Sequence, residues 1–227
     1  MAFEVVLWDF DGVIFDSMHL KYEGFKALFQ KHGNEKHGND SKEGLKQFEV
    51  YHYQSGGISR NEKIQYFYNE ILKTPIAQEE IEELALEFGA IIEQKLFDRG
   101  HLNSEVMAFI DKHYQNYIFH IASAALHSEL QVLCEFLGIT KYFKSVEGSP
   151  PNKPKIIANI IQKYAYNPSR MLMIGDSVND YESAKANKVA FLGYNSKVLK
   201  NLVGQNGYQG KYLEGFKGFD LQNFKQE

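Results

Sequence analysis

The sequence predicts an α/β protein: a parallel sheet covered by helices on both faces, interrupted near its start by an all-helical insert. Three observations carry this. The apolar run Val5 to Trp8 reads as a strand buried on both faces. Between about residue 18 and residue 100 no strand pattern occurs. From residue 103 onward strand-like and helix-like segments alternate, as parallel βαβ units require. The chain thereby divides into residues 1–16 and 101–227, which form the sheet core, and residues 17–100, which form the insert.

The first strand ends in Asp9-Phe10-Asp11-Gly12. Extended backbone alternates its side chains, so Asp9 and Asp11 project to the same side. Two neighbouring carboxylates repel; one takes a proton or both share a cation. Oxygen ligands at this spacing suit Mg²⁺. Gly12 permits a sharp turn where a side chain would obstruct a ligand.

Ser17 is placed to cap a helix through Lys31, whose apolar residues at 18, 22, 25, 28 and 29 share a face. Residues 32–46, rich in Gly, Asn and Lys, read as a connection. Helices follow around 59–73 and 78–97, separated by Thr74-Pro75, the second acidic at its start as the helix dipole favours. The alternating half predicts a helix at 104–114, a strand at 117–122 and a helix at about 126–137 closed by Gly138. A short strand near 142–147 leads to a helix from Lys153 to Tyr164. The strand Arg170 to Ile174 is followed by a helix to about 187 and a strand at 188–192; the tail after 194 is Gly-rich and weakly patterned.

In such sheets ligands bind outside the carboxyl ends of the strands. Four polar signals fall there: Asp9 with Asp11, Ser123, Lys153 after a short loop, and Asp176 with Asp180. Each has a plainer reading beside the functional one. Ser177 to Asp180 fits a capping box, but Asp176 precedes the box and has no structural need to be acidic. Ser123 reads as a helix N-cap, a position where a hydroxyl and free N–H groups also hold phosphate. Lys153 sits where the dipole disfavours a cation and would gain from a nearby anion, with Lys155 as its rival.

Composition narrows the class. The 227 residues, 44% of them apolar, suffice for a full core with an insertion. A net charge of −4 argues against nucleic acid as a partner. The single cysteine, Cys134, excludes an internal disulfide and lies in an apolar helical pattern. No membrane span, secretory leader, histidine-based zinc site or nucleotide-binding glycine motif is apparent. The expectation is a soluble cytoplasmic protein, monomeric or homodimeric, without membrane or nucleic-acid partners.

Together these residues resemble the haloacid-dehalogenase-like hydrolase superfamily, specifically its phosphoglycolate-phosphatase-like branch with a helical cap. Four elements match in order: Asp9 through Ser17, the strand-end Ser123, Gly148 through Lys153, and Gly175 through Asp180. The match spans roughly residues 3–193 in layout, and Ala124 departs from the polar residue that often follows the Ser or Thr. The resemblance implies a Rossmann-like core, a cap over residues 17–100, and a Mg²⁺-dependent phosphatase acting on a small phosphorylated metabolite. It implies Asp9 as nucleophile forming an aspartyl-phosphate, and Asp11 as general acid and base. Lys153 is the implied catalytic cation, and Asp9, the Asp11 carbonyl and Asp176 the implied metal site, with Asp180 supporting it directly or through another ligand. Gly12, Ser123 and Ala124 are implied in substrate binding. So is Arg60, because Gly56 to Arg60 resembles the cap segment that selects substrates in this branch. A phosphomutase of the same superfamily and a non-catalytic phosphate-binding protein are the alternatives. A 2-haloacid dehalogenase needs no acid at Asp11.

Overall fold

The computed structural model describes residues 3–205, 207–222 and 224, the side chains of 33–41 excepted. Six strands form one parallel sheet: β1 (Val5–Trp8), β2 (Ile118–Leu126), β3 (Ser145–Ser149), β4 (Met171–Gly175), β5 (Ala190–Tyr194) and β6 (Lys211–Leu213). Their order is β3-β2-β1-β4-β5-β6, the doubly wound Rossmann-like arrangement. The chain moves outward one way from β1 and then returns to build the other half from β4. The switch point therefore lies between β1 and β4, where Trp8 pairs with Ile174.

β1 is buried on both faces for a simple reason. Val6 and Trp8 pack on one side with residues of α4 (Ser104–His113) and α5 (His127–Leu137). Val5 and Leu7 pack on the other with α6 (Lys153–Tyr164), α7 (Val178–Ala186) and α8 (Lys197–Leu202). Alternating side chains of one apolar run thus serve two cores. Gly138 ends α5 in the left-handed conformation, φ 72°. Cys134 lies buried in that helix.

The insert has its own core, built only from residues between Tyr22 and Ile92 and rich in Phe25, Phe29, Phe48, Phe67 and Phe88. It comprises α1 (Met18–Gln54), α2 (Arg60–Tyr66) continuing as a π-helical turn over Phe67–Ile71, and α3 (Gln78–Leu96). Helical backbone is assigned from Met18 to Gln54, through the connection expected over 32–46. A straight helix would separate residues 19 apart by about 28 Å, yet the Phe29 and Phe48 rings lie 4.9 Å apart and Tyr22 and His52 5.9 Å. The run therefore doubles back between Phe29 and Phe48 into two antiparallel arms, packed on α3. The expectation for the side chains of 33–41 lies outside the described residues.

Other departures are local. β3 begins three residues later than expected, at Ser145. β2 continues to Leu126 through an irregular register after Ala122, so Ser123 sits in a strand and not at a helix cap. The tail supplies α8, the edge strand β6 and Phe216, whose ring packs 5.6 Å from Trp8. Among the described residues no helix is long and apolar enough to cross a membrane.

Candidate active site

The loops leaving β1 and β4 bring the predicted acids together. The Asp9 N–H donates to the Ile174 carbonyl at 2.9 Å, carrying the strand pairing one residue further. Asp9, Asp176 and Asp180 offer carboxylate oxygens all within 4.8 Å of one another. Gly12 makes the close approach possible. Its φ is +82°, and a Cβ there would stand 2.1 Å from Asp176 Oδ2.

Lys153, not the exposed Lys155, belongs to this cluster. Asn152 caps α6 through the Lys155 N–H. The wholly buried Lys153 donates to Asp9 Oδ1 at 2.7 Å and to Asp180 Oδ1. Burial alone would lower its pKa; Asp180 and Asp9 overcome this and hold the ammonium above its ordinary range. Asp180 satisfies both of its sequence readings. Its Oδ2 accepts from the Ser177 N–H at 3.0 Å to complete the capping box, while Oδ1 accepts from Lys153.

Two oxygens have no protein partner: Asp9 Oδ2 and Asp176 Oδ1, both buried. Burial first, and then the Asp180 charge, pushes Asp9 up to about 7 despite Lys153. Asp176 is raised well above the ordinary carboxyl, by burial and then by Asp9 and Asp180. An all-oxygen donor set with orphaned carboxylate oxygens fits Mg²⁺. Asp9 and Asp176 have oxygens free to hold it, whereas Asp180 is spent on Ser177 and Lys153.

This has a measurable consequence. Raised carboxyls bind more protons in the folded, metal-free protein than in the unfolded chain, whose carboxyls titrate near 3.8. Between about pH 4 and 7 they therefore lower stability as pH rises. A divalent cation replaces those protons. The rise in melting temperature produced by saturating Mg²⁺ is expected to grow from about pH 5 to about pH 8. An equal rise at both values would contradict the assignment of Asp9 and Asp176.

Asp11 is set apart from this group. Its Oδ1 accepts from the Ser17 hydroxyl and its Oδ2 from Lys21 Nζ at 2.5 Å. Burial would raise this carboxyl, but the Lys21 charge and the two hydrogen bonds outweigh it and hold Asp11 below the usual range. Ser17 thus begins α1 without the side-chain cap expected of it, because its hydroxyl is used on Asp11. Lys21 gave no spacing signal in the sequence; only the fold places it over the carboxylate.

The cap closes over these groups. Asn179, at the start of α7, donates to the Gly57 carbonyl. Gly57, at φ +69°, seats there because a Cβ would stand 2.6 Å from Ser177 Oγ. Arg60 spans to the core through a bidentate pair with Glu129 of α5, and Nη1 also donates to the Ala85 carbonyl at 3.2 Å. The cavity between cap and core, about 40 Å³, is lined by Asp9, Asp11, Lys21, Arg60, Lys63 and Ala124, among others. Ser123 is fully buried within β2, outside the cavity lining, its Oγ accepting from the Ala125 N–H at 3.1 Å. A larger cavity of about 360 Å³ between α3 and α5 shares Asp11, Lys21, Arg60 and Ala125 with the first.

The chain matches the family described as haloacid dehalogenase-like hydrolase over residues 3–187. No curated protein matches it in sequence. Among solved structures, β-phosphoglucomutase from Clostridium difficile is similar, with a TM-score of 0.71 at 19% identity over 96% of this chain and 93% of that one. A predicted phosphoglycolate phosphatase from Haemophilus somnus gives 0.67 at 17% identity, covering 94% and 95%. The HAD-hydrolase candidate YfnB from Bacillus subtilis, in a form bound to magnesium, gives 0.64 at 13%, covering 96% and 97%. At these identities the likenesses establish the fold.

Proposed function

The chain belongs to the haloacid dehalogenase-like hydrolase family, and we propose that it is a Mg²⁺-dependent phosphatase hydrolysing a small phosphomonoester through an aspartyl-phosphate on Asp9. One observation carries this reading. Asp9 Oδ1 is fixed by Lys153 and by the Phe10 N–H at 2.7 and 2.8 Å, while Oδ2 is buried without a partner. A carboxylate so positioned, lining the cavity with one oxygen fixed and the other unpartnered, is suited to attack phosphorus.

Asp176, with the Asp9 oxygen that does not attack phosphorus, would hold Mg²⁺, which when bound would neutralise phosphoryl charge. Lys153 offsets the repulsion between nucleophile and phosphate, and Asp180 holds the lysine in place. Ala124 lines the cavity, where its backbone would receive phosphoryl oxygens, and Ser123 precedes it in β2 with its hydroxyl beneath the cavity wall. Asp11, kept in its proton-accepting form by Lys21 and Ser17, is the base that takes a proton from the attacking water. In the preceding step the same carboxyl, having taken a proton from solvent when the phosphate binds, gives that proton to the leaving oxygen and is left as the base. The negative charge of bound phosphate raises its proton affinity for that role. Arg60 is already engaged by Glu129, so it works first as a clamp between cap and core. It meets substrate only by exchanging that partner.

A phosphate-release screen over sugar phosphates, nucleotides and small phosphocarboxylates with Mg²⁺ tests this reading. Turnover should require Mg²⁺ and stop with EDTA. Asp11→Asn is expected to lose about 10²-fold or more in kcat. Activity surviving full metal removal, or near-parental turnover by Asp11→Asn, would reject it. Transfer of phosphate to a second hydroxyl of the same sugar in place of release would identify a mutase.

A further inference from the structure

The cavity above Asp9 is lined by three cations, and only two have an anionic partner. Lys21 is paired with Asp11, and Arg60 with Glu129. Lys63, from the first turn of α2, is 4% exposed and has no carboxylate partner among the described residues. Its Nζ donates to His52 Nδ1 at 3.2 Å and to the His52 carbonyl at 3.4 Å. The ring is a neutral acceptor, because Nε2–H donates to the Met18 carbonyl at 2.9 Å. The cavity walls are the apolar Met18, Phe25, Ile58 and Phe88 together with the paired Asp11 and Lys21. A buried ammonium whose hydrogen-bond partners are neutral is costly, Asp11 and Asp176 offset this only through space, and a counter-charge placed directly on it would relieve it further.

We propose that Lys63, oriented by His52, determines specificity by pairing with a second anionic group on the leaving group. The substrate is then a phosphomonoester that also carries a carboxylate or another phosphate. This rests on the phosphatase reading above for the identity of the first phosphate. Burial, and then Lys21, bring the Lys63 ammonium down to about 7 against the opposing charges of Asp11 and Asp176, so a further anion beside it would favour its charged form. His52 is held down to about 3, by burial and then by Lys63, and stays a neutral acceptor. A purely structural Lys63, tying α2 to the second arm of α1, would give no preference for charge in the substrate.

The test uses matched pairs: 3-phosphoglycerate against glycerol 3-phosphate, and glucose 1,6-bisphosphate against glucose 1-phosphate, with p-nitrophenyl phosphate as control. The parent should prefer the doubly anionic member of at least one pair. Lys63→Met should lose about 10- to 100-fold in kcat/KM for that member, the worth of one charge-assisted hydrogen bond, mainly through KM. The member that lacks the second anionic group and p-nitrophenyl phosphate should change less than about threefold, and Lys63→Arg should restore part of the preference. No preference in the parent, or an equal loss on every substrate by a folded variant, overturns the proposal. Lys63→Gln serves if the methionine variant does not fold. If no phosphomonoester is turned over, the same pairs are compared by thermal shift of the Mg²⁺-loaded protein. Selective stabilisation by the doubly anionic member that Lys63→Met abolishes would support Lys63 while rejecting the phosphatase; equal shifts would overturn the proposal.

Discussion

Asp9→Asn is expected to abolish phosphate release, by on the order of 10⁴- to 10⁶-fold, while the protein stays folded. An amide oxygen can still accept from Lys153 and the Phe10 N–H, the two contacts that fix Oδ1. What is lost is the anionic second oxygen, now buried and unpartnered. The substitution also removes one of the carboxylates whose repulsion raises Asp176. The metal-free melting temperature is therefore expected to hold or rise. Phosphate-release assays and thermal melts on the purified variant check both halves. Turnover within tenfold of the parent would remove Asp9 from the mechanism.

Lys153→Met should act on stability as well as on activity. The ammonium is enclosed between Asp9 and Asp180, with Asp176 close by. Removing it leaves buried carboxylates without their counter-charge, a change that typically costs about 3–5 kcal/mol. For a chain of this size that corresponds to a fall in melting temperature of roughly 6–20 °C. The deficit should shrink as pH falls toward about 5, where these carboxyls take up protons and no longer need the cation. A fall of less than about 2 °C at neutral pH would show that Lys153 is not the group holding the cluster together. Measured beside it, Lys155→Met should be close to neutral, since that side chain is exposed.

The acids of the site were legible because their placement follows from two short-range rules. Apolar runs mark strands, and ligands gather at strand ends, so Asp9, Asp11 and Asp176 could be placed before any contact was known. Lys153 and Lys155 were equivalent on that basis; burial and the Asn152 cap separate them. Ser123 read as a helix cap because apolar residues through Leu126 cannot by themselves tell strand from helix. Ser17 looked like a cap for the same local reason, while its hydroxyl is drawn to Asp11 across the first turn of the cap. The doubling back of α1 was hidden by the polar stretch between Phe29 and Phe48, where no periodicity marks a helix. Lys21, Lys63, His52 and Glu129 carry no spacing signal, because tertiary contact alone brings them to the cavity. The edge strand β6 is only three residues long and too short to show alternation.

The central claim is that phosphate passes through a covalent bond to Asp9. Rapid quenching in acid during turnover, followed by peptide mass spectrometry, tests it directly, since acyl phosphates survive acid and are cleaved by hydroxylamine. The expected result is a hydroxylamine-sensitive phosphate on Asp9 that forms at the rate of turnover and is missing from Asp9→Asn. Steady turnover with Asp9 unmodified at every quench time, or phosphate carried by another residue, would contradict the account.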